Sequence, residues 1–369
     1  MTLMEEARAG TVTAEMRRVA EREGVDPEFV RRGIARGTMV IPRNRLRRKL
    51  EPVGIGEGLR VKVNASVGTS RERADIAGEL EKVRVAAQAG TDTIMDLSTW
   101  GELDLVRREV LAAAPVPVGT LPVYQAVAEA IACHGTPAAM SAEGLFETVE
   151  RHAADGVDFL AVHAATCRET IQRARGSGRI DHLVSYGGSY LMGWMIATGR
   201  ENPFFEQYDR LLEIAREYEV TLGLADTYRP GCLADSLDRL QVAEMVILGE
   251  LVQRAREGGV QVMVKGPGHV PVDEVSATVR LEKRLCAGAP YFVFGPVVTD
   301  VAPGYDHITS AIGGAIAGAS GADFICYVTP AEHLGYPTAV DVREGVMAAR
   351  IAARWGDLAR GLGDGKSAK

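Results

Sequence analysis

The sequence predicts an α/β protein built as a (β/α)8 barrel with a short helical segment at its N-terminus. From Val61 onward, short runs rich in β-branched residues alternate with stretches of helical periodicity. Such alternation is typical of a parallel sheet that is covered by helices on both faces. The runs lack the G-x-G-x-x-G fingerprint of doubly wound dinucleotide-binding folds. We therefore predict a closed barrel rather than an open sheet.

Residues 1–55 differ in pattern and are predicted to form the helical N-terminal segment. TAEMRRVAEREGV and DPEFVRRGIARG each have the periodicity of a short amphipathic helix, and Asp26-Pro27 supplies an N-cap followed by proline at N1. These helices are too small to fold alone, so we expect them to pack on the barrel or on a partner subunit. The barrel is placed at residues 56–360, and residues 361–369 are expected to be a disordered tail.

Nine runs qualify as barrel strands, one more than the fold needs, so one of them is expected to lie outside the barrel. They are VKVNASVG (from 61), TDTIMDLS (91), VPVGTLPVY (116), VDFLAVHAA (157), HLVSYGGS (182), VTLGLADTY (220), VQVMVKGPGH (260), YFVFGPVV (291) and FICYVTPAEH (324).

Polar residues cluster at the C-terminal ends of these runs. They are Ser66, Asp96, Ser98, Tyr124, His163, Ser185, Asp226, Arg229, His269 and His333. In a closed barrel all of these ends lie on one face, which is the face that carries the active site in barrel enzymes. The sequence therefore predicts a functional site at this end of the barrel.

Three histidines fall at predicted strand ends: His163, His269 and His333. Imidazoles that converge on a barrel mouth can bind Zn²⁺ or Fe²⁺ and leave positions open for water or substrate. A single histidine in such a place is more often a turn residue whose ring nitrogens are satisfied. Three on one predicted face favour the metal.

Two further motifs suit a phosphorylated ligand. SYGGS (185–189) precedes a helical stretch, so its backbone N–H groups could hold a phosphate, although Gly-Gly after a strand is often only a tight turn. Arg229 could clamp a phosphate or carboxylate, with Asp226 taking a hydroxyl or a proton. The alternative is an Asp–Arg pair that pins a loop. Asp306 is expected to be a helix-capping residue.

Composition excludes several classes of function. The net charge of −7 disfavours binding to nucleic acid or an anionic membrane, and the basic run RNRLRRKL (43–50) is interpreted as a solvated face or subunit contact. The N-terminus lacks the apolar core of a signal peptide, and no apolar run could span a bilayer. The five cysteines are far apart, without C-x-x-C spacing, and are expected to be inert. A cytoplasmic protein is expected.

Longer strings resemble one family. VNASVGTS, DTIMDLST, PVPVGTLPVYQA, VSYGGS, RPGCLAD, QVMVKGPGHVP, TDVAPGYDHITSAIGGA and CYVTPAEHLGYP occur in the order found in the phosphomethylpyrimidine synthase family of thiamine biosynthesis, which includes the related 5-hydroxybenzimidazole synthase of cobamide biosynthesis. The resemblance implies a (β/α)8 barrel, a homodimer, 5-aminoimidazole ribotide as substrate, and carbon–carbon lyase chemistry by S-adenosylmethionine on a [4Fe–4S] cluster.

Matched by motif, the resemblance assigns roles to residues of this chain. It implies that His269 and His333 bind the metal, Zn²⁺ or Fe²⁺. The substrate contacts that it implies are Met95, Tyr124, His163, Ser185, Gly187, Asp226 and Arg229.

The chain departs from the family pattern at four of the positions expected to contact substrate. Ser66 replaces an asparagine, Tyr186 an arginine and Lys265 a glutamate, while Phe292 replaces a tyrosine, with Tyr291 expected to face the other way. An arginine fork cannot be mimicked by an ordinary polar side chain, and Lys265 reverses the charge at its position.

The family's C-x-x-C-x4-C cluster motif is absent from this sequence. A cluster needs three cysteine thiolates, which the spacing of these five cysteines does not supply. Three hypotheses follow: a synthase whose cluster segment is missing from this sequence; a cluster-free relative with non-radical chemistry, in which Lys265 is a general base or Schiff-base amine and His163 a second catalytic group; or a non-catalytic subunit that pairs with a cluster-bearing relative.

Overall fold

Eight of the nine predicted strands form a closed parallel barrel in the computed structural model, which describes residues 1–47 and 49–362. Two short strands, β1 Met39–Val40 and β2 Ile55–Gly56, pair with each other outside the barrel. The barrel strands are β3 Lys62–Val67, β4 Thr93–Asp96, β5 Val118–Thr120, β6 Phe159–Val162, β7 Thr221–Ala225, β8 Val262–Gly266, β9 Tyr291–Phe294 and β10 Phe324–Cys326. The strands β3 to β10 pair in chain order, and β10 closes the barrel on β3. The predicted fold class is confirmed.

The first three helices form the N-terminal segment, and the later ones follow the barrel strands and cover the barrel. They are α1 Leu3–Arg8, α2 Ala14–Glu23, α3 Pro27–Arg36, α4 Ile76–Ala89, α5 Leu103–Ala113, α6 Pro122–His134, α7 Ala142–Ala154, α8 Arg168–Ala174, α9 Tyr186–Thr198, α10 Pro203–Glu206, α11 Tyr208–Tyr218, α12 Arg239–Glu257, α13 Val275–Leu285, α14 Asp306–Ser320 and α15 Ala339–Ala359.

The barrel strands read as nearly continuous apolar runs because both of their faces are buried. All five residues of β7 are buried, for example, as expected for parallel strands between a packed interior and a layer of helices. Large and small side chains alternate inside: a side chain at Gly119 would overlap the ring of Phe159 on the adjacent strand. Phe292 and Phe324 stack with ring centroids 3.9 Å apart. The barrel is thus a packed core, and ligand space is left at its ends.

The run HLVSYGGS is the strand prediction that is wrong. His182 and Val184 are exposed and only Ser185 of the first four residues is buried, whereas a strand of this barrel would be buried on both faces. The segment instead leads into α9, and Ser185 is the N-cap of that helix, accepting a hydrogen bond from Gly188 N–H at 3.3 Å. The stretch therefore belongs to the long connection between β6 and β7.

The N-terminal segment has a small apolar core of its own and lies beneath the barrel. The two predicted helices are confirmed as α2 and α3, with Asp26 as N-cap and proline at N1, and α1 precedes them without having been predicted. The segment contacts the loops that precede the barrel strands. For example, Thr2 Oγ1 donates to the carbonyl of Gly259, just before β8, at 2.8 Å. This end of the barrel is opposite to the predicted site.

Asp158 joins the N-terminal segment to the barrel. Its fully buried carboxylate accepts hydrogen bonds from the backbone N–H of Asn44 at 3.0 Å and of Val118 at 2.8 Å, and it pairs with the Arg47 guanidinium. Burial raises the pKa of Asp158 to about 6, against the lowering effect of Arg47 and the two N–H groups. The interpretation of the basic run as a solvated face or subunit contact is thus wrong for Arg47.

The last described residues are Gly361 and Leu362, so the rest of the predicted tail at 361–369 lies outside the described residues. Within residues 1–47 and 49–362, no helix is long and apolar enough to cross a membrane.

We predict that Asp158→Ala lowers the free energy of unfolding by about 3–5 kcal/mol, because it leaves a partly buried guanidinium and two N–H groups without their acceptor. The matched control is Asp209→Ala, which breaks the exposed ion pair of Asp209 with Arg254 and should cost at most about 1 kcal/mol. Urea unfolding followed by circular dichroism measures both. Equal midpoints for the two variants would contradict the role of Asp158.

Candidate functional site at the barrel mouth

The barrel register brings the predicted site residues onto one face. Ser66 of β3 is paired with Met95 of β4, and Lys265 of β8 is paired with Phe292 of β9. Since paired residues of neighbouring strands point to the same face, each pair is directed into the barrel together. Tyr291 alternates with Phe292 along β9 and therefore faces the surrounding helices, as expected from the sequence.

His163 is held by the N-terminus of α9. It directly follows β6, and its Nε2 lies 2.8 Å from Ser185 Oγ. Ser185 Oγ also accepts from Gly188 N–H; when its hydroxyl donates to Nε2, the ring proton of His163 is on Nδ1. Nδ1 is buried without a partner among the described residues. Burial, together with Arg229 and Lys265, lowers the pKa of His163 to about 3, so the ring is uncharged.

Gly187 has a steric role at this contact. A Cβ at this position would overlap the imidazole of His163, so the first turn of α9 can approach the ring only with glycine there. The Gly-Gly pair is therefore part of a helix start whose first turn contacts the ring of His163.

Three tyrosines form the wall next to α9. Tyr124 lies in the first turn of α6 rather than at a strand end as predicted, since β5 already ends at Thr120. Its ring meets that of Tyr186 edge-on at 5.5 Å between centroids, and Tyr186 Oη accepts from Tyr190 Oη at 2.7 Å. Burial raises the pKa of Tyr124 to about 12. The wall is thus aromatic and uncharged.

Asp226 and Arg229 form the predicted pair. Arg229 Nη1 lies 3.3 Å from Asp226 Oδ1, and its guanidinium carbon lies 5.9 Å from the ring centroid of Phe294. Burial raises the pKa of Asp226, opposed by Arg229 and Lys265. Asp226 Oδ2 is buried without a partner among the described residues. The pair both fixes the loop after β7 and leaves a carboxylate oxygen uncommitted.

Glu244 supports this loop and was not predicted from the sequence. It lies on α12, fully buried, and accepts the N–H groups of Thr227 and Tyr228 at 2.7 and 2.8 Å. Burial, followed by the nearby Asp226, raises the pKa of Glu244 to about 8. A glutamate within a helical run looks like a surface residue in the sequence, so only the three-dimensional packing identifies its role.

Lys265 enters the barrel interior from β8. Its Nζ lies 5.0 Å from the ring centroid of Phe292 and 4.0 Å from Met95 Sδ. Desolvation lowers the pKa of Lys265, and Cys326, Arg229 and Asp226 add smaller effects of both signs. Near it, Ser66 Oγ lies 3.7 Å from Cys326 Sγ.

His269 and His333 are neighbours, with ring centroids 5.6 Å apart. Their Nδ1 atoms face carboxylates: His269 Nδ1 lies 2.8 Å from Asp300 Oδ1, and His333 Nδ1 lies 3.3 Å from Asp306 Oδ1. The role of Asp300 was not predicted, and the expectation that Asp306 is a helix cap is wrong, since Tyr305 occupies the N-cap of α14. His333 has φ +63°, which is a strained value for a residue with a side chain.

The histidine pair adjoins the rest of the site through the loop after β8. His269 N–H donates to the carbonyl of Pro230 at 3.1 Å, next to Arg229. A side chain at Gly268 would contact Arg229 Cδ at 3.7 Å. The loop after β8 therefore places His269 next to the segment that carries the Asp226–Arg229 pair.

The cysteines do not form a cluster site. All five are free, and Cys133 is exposed while Cys167, Cys286 and Cys326 are buried in different elements. Among the described residues no group of three or more histidines, cysteines or acidic residues is arranged to hold a metal ion. The thiolate set that an iron–sulfur cluster needs is thus not provided by the described part of this chain.

Comparisons with solved structures support the fold. A dihydropteroate synthase of Coxiella burnetii superimposes with a TM-score of 0.51 over 84% of this chain and 96% of that one, at 11% identity. A dihydropteroate synthase of Xanthomonas albilineans gives the same TM-score over 88% of this chain and 100% of that one, at 13% identity. At this level of identity the likeness concerns the fold alone.

Sequence comparisons identify the family. A model of the radical SAM ThiC family matches residues 2–368. The 5-hydroxybenzimidazole synthase BzaA of Moorella thermoacetica is 61% identical over 98% of this chain and 84% of its own length. The phosphomethylpyrimidine synthases of Moorella thermoacetica and Desulforamulus reducens are 58% and 57% identical, with the same coverage. The chain therefore belongs to the radical SAM ThiC family, as its motifs had predicted.

Proposed function

We propose that this chain is a synthase that binds a phosphorylated heterocycle of the 5-aminoimidazole ribotide type at the barrel mouth. The observation that carries the proposal is the charge of the mouth: two cations, Arg229 and Lys265, share one carboxylate, Asp226, while His163 stays neutral. This leaves a positive excess at a largely dehydrated site, where attraction for an anion is stronger than in water. The relatives named above act in thiamine or benzimidazole synthesis, and this substrate class fits both.

The phosphate would bind at the start of α9. The unpaired N–H groups of a helix N-terminus attract anions, and α9 is 13 residues long. Ser185, Tyr186 and Gly187 form its beginning, and the guanidinium of Arg229 supplies the second, charged partner. The buried Nδ1–H of His163 would donate to an oxygen of the ribose or phosphate. Tyr124 and Met95 would pack against the heterocycle.

His269 and His333 fit a Zn²⁺ or Fe²⁺ ion as two of its ligands. In both residues Nδ1 faces a carboxylate, which fixes the ring and leaves Nε2 for the metal, as in carboxylate–histidine–metal arrangements. The remaining positions would be taken by water or substrate. Such an ion acts as a Lewis acid that polarises a bound oxygen or nitrogen atom.

The name of the family implies S-adenosylmethionine and an iron–sulfur cluster, which together supply a substrate radical. The cysteines of this chain do not fit the cluster, so the residues assigned here only bind and orient the substrate. Carbon–carbon lyase chemistry is proposed for the complete system, with the cluster supplied by a further segment or by a cluster-bearing relative that pairs with this chain.

A second candidate function is non-radical chemistry with Lys265 as a general base or Schiff-base amine. It is favoured by one observation, the lowered pKa of Lys265 through burial, since an amine must be deprotonated to act in either way. Borohydride trapping of a ligand adduct, followed by mass spectrometry, distinguishes it from the first.

We also propose that the chain forms a homodimer through α15. The inner face of this helix packs on the barrel, yet its outer face carries Val340, Met347, Ile351, Trp355 and Leu358, which are 43–67% exposed. A helix that is apolar on both faces is normally covered on both. A second copy of the chain would cover this stripe by the same residues, as in a two-fold interface.

For the substrate site, we expect Arg229→Met to weaken binding of 5-aminoimidazole ribotide by about tenfold to a hundredfold, because a charge-assisted contact to the phosphate is lost. Isothermal titration calorimetry measures the affinity. Arg173→Met is the control, since Arg173 is exposed and paired with Glu169 on α8. Equal affinities in the two variants, or no binding by the parent chain, would contradict the proposed function.

For the metal site, we expect His269→Ala and His333→Ala each to abolish stoichiometric binding of Zn²⁺ in competition with a chromophoric chelator. Asp300→Asn should weaken it by about 10- to 100-fold through loss of the orienting carboxylate. His134, exposed at the end of α6, provides the control variant His134→Ala. Unchanged affinity in either histidine variant of the site excludes this pair as the ligands.

For the dimer, we expect Ile351→Glu to raise the dissociation constant by about 30-fold or more, the cost of placing a charge at the centre of an apolar interface. Sedimentation equilibrium gives the constant. Val246→Glu, which places the same charge at an exposed apolar position of α12, should leave it unchanged. A monomeric parent chain would refute the dimer.

A further inference from the structure

A pocket lined by arginines lies on the outer surface of the barrel, between α8 and the C-terminal end of α9. It has a volume of about 340 Å³, and we call it the arginine pocket. Its charged lining residues are Arg168, Arg175 and Arg200, and no acidic residue of the described chain lines it. A pocket lined by charges of one sign attracts counter-ions. This positive charge is local, because the whole chain has a net charge of −7.

The neighbouring groove shows a different arrangement of charge. On another face of α8, a groove next to α12 is lined by two arginines and two glutamates. There Arg173 pairs with Glu169 at 2.7 Å. The face of α8 that lines the arginine pocket carries Arg168, Gln172 and Arg175 at the spacing i, i+4 and i+7. The positive charge is therefore balanced in the groove and unbalanced in the arginine pocket.

The three guanidinium groups of the arginine pocket have few protein partners. Arg168 Nη2 donates to the carbonyl of Gly199, the C-cap of α9, and the guanidinium carbon of Arg200 lies 5.5 Å from the ring centroid of Trp194. Within residues 1–47 and 49–362, neither of them nor Arg175 makes an ion pair with a carboxylate. Since a guanidinium has five N–H donors, most donors of this pocket have no acceptor in the described part of the chain.

One carboxylate lies close to the pocket but is engaged elsewhere. Glu201 accepts the backbone N–H of Arg168 at 3.2 Å with both of its oxygens, and the N–H of Asn202 at 2.8 Å. It balances at most one of the three cations. An anionic ligand would compensate the charge that remains.

The rest of the lining is mainly apolar. Ile171 and Met195 are buried, while Ile196 is 55% exposed. Apolar side chains beside a set of cations suit an organic anion, whose charged end binds the cations and whose body covers the apolar surface. A bare inorganic ion would use only the arginines.

We propose that the arginine pocket is a second binding site of this protein and that it binds an organic diphosphate. The guanidinium groups of Arg168, Arg175 and Arg200 bind the phosphate oxygens through charge-assisted hydrogen bonds, for which the planar fork of arginine is well suited. The body of the ligand packs on Ile196 and the apolar residues beside it. A diphosphate can reach arginines on both walls of the pocket, which a single phosphate cannot do as well.

This site is separate from the barrel mouth. The helix α9 has 13 residues, so Gly199 at its C-terminal end lies about 20 Å along the helix from Ser185 at its start. The proposal therefore does not depend on the function proposed for the mouth.

Three probes test the class of ligand: adenosine diphosphate, inorganic pyrophosphate and adenosine. Isothermal titration calorimetry on the full chain, in metal-free buffer at low salt, measures their affinities. We expect adenosine diphosphate to bind with a stoichiometry of one and about tenfold more tightly than pyrophosphate, because its body also buries apolar surface. Adenosine alone should not bind detectably, and added salt should weaken the binding of both diphosphates.

Single variants test the position of the site. Arg175→Met and Arg200→Met should each weaken the binding of adenosine diphosphate by about tenfold, through loss of a charge-assisted contact. Arg173→Met is the matched control on α8, since Arg173 faces the neighbouring groove and is paired with Glu169; it should leave the affinity unchanged. Arg229→Met, at the mouth, should also leave it unchanged.

Four results would overturn the proposal. Absence of binding to the parent chain would refute the site, and equal affinity for pyrophosphate and adenosine diphosphate would refute an organic ligand. Equal weakening by Arg173→Met would show a response to general surface charge, and loss of binding in Arg229→Met would place the probe in the mouth. None of these results bears on the binding of 5-aminoimidazole ribotide, so the proposed function would stand.

Discussion

The closure of the parallel ladder between β10 and β3 is the constraint on which the rest of the structure depends. In a closed parallel barrel every strand points the same way, so the residue that ends each strand must lie on the same rim. Polar residues that are far apart in the chain, from Ser66 to His333, therefore lie around one opening. The opposite rim has a structural role. There Asp158 binds the N-terminal segment, whose helices have a small core of their own.

The second constraint is dehydration at that opening. Loops and the start of α9 cover the mouth closely enough that burial dominates the pKa shifts of His163, Asp226 and Lys265. In each case burial disfavours the charged form. The outcome differs with the partner available: His163 is neutral, Asp226 pairs with Arg229, and Lys265 has no oxygen partner in the described part of the chain. An uncompensated charge in such a dehydrated place is costly until a partner compensates it.

Periodicity and strand-end chemistry were enough to predict the barrel and most of the residues of its mouth. The prediction failed at 182–185, because a short β-branched run reads as a strand unless one knows that it is exposed. It also missed partners that belong to other elements. Glu244 on α12 and Asp300 in the loop after β9 contact residues that are far from them in the sequence, so no local pattern predicts these contacts. Tyr124 was predicted at the end of a strand but lies in the first turn of α6, since β5 is only three residues long.

Overall identity does not separate the two activities that occur among the relatives. A 5-hydroxybenzimidazole synthase and a phosphomethylpyrimidine synthase of one organism, Moorella thermoacetica, are 61% and 58% identical to this chain over the same coverage. This small difference in identity is averaged over all positions of a shared barrel, and most of those positions serve packing. The product must then be determined by the few side chains that touch the ligand. Ser66, Tyr186 and Lys265 are proposed to be such positions in this chain, and of these Lys265 is the one that carries a full charge, for which the described residues offer no hydrogen-bonded oxygen.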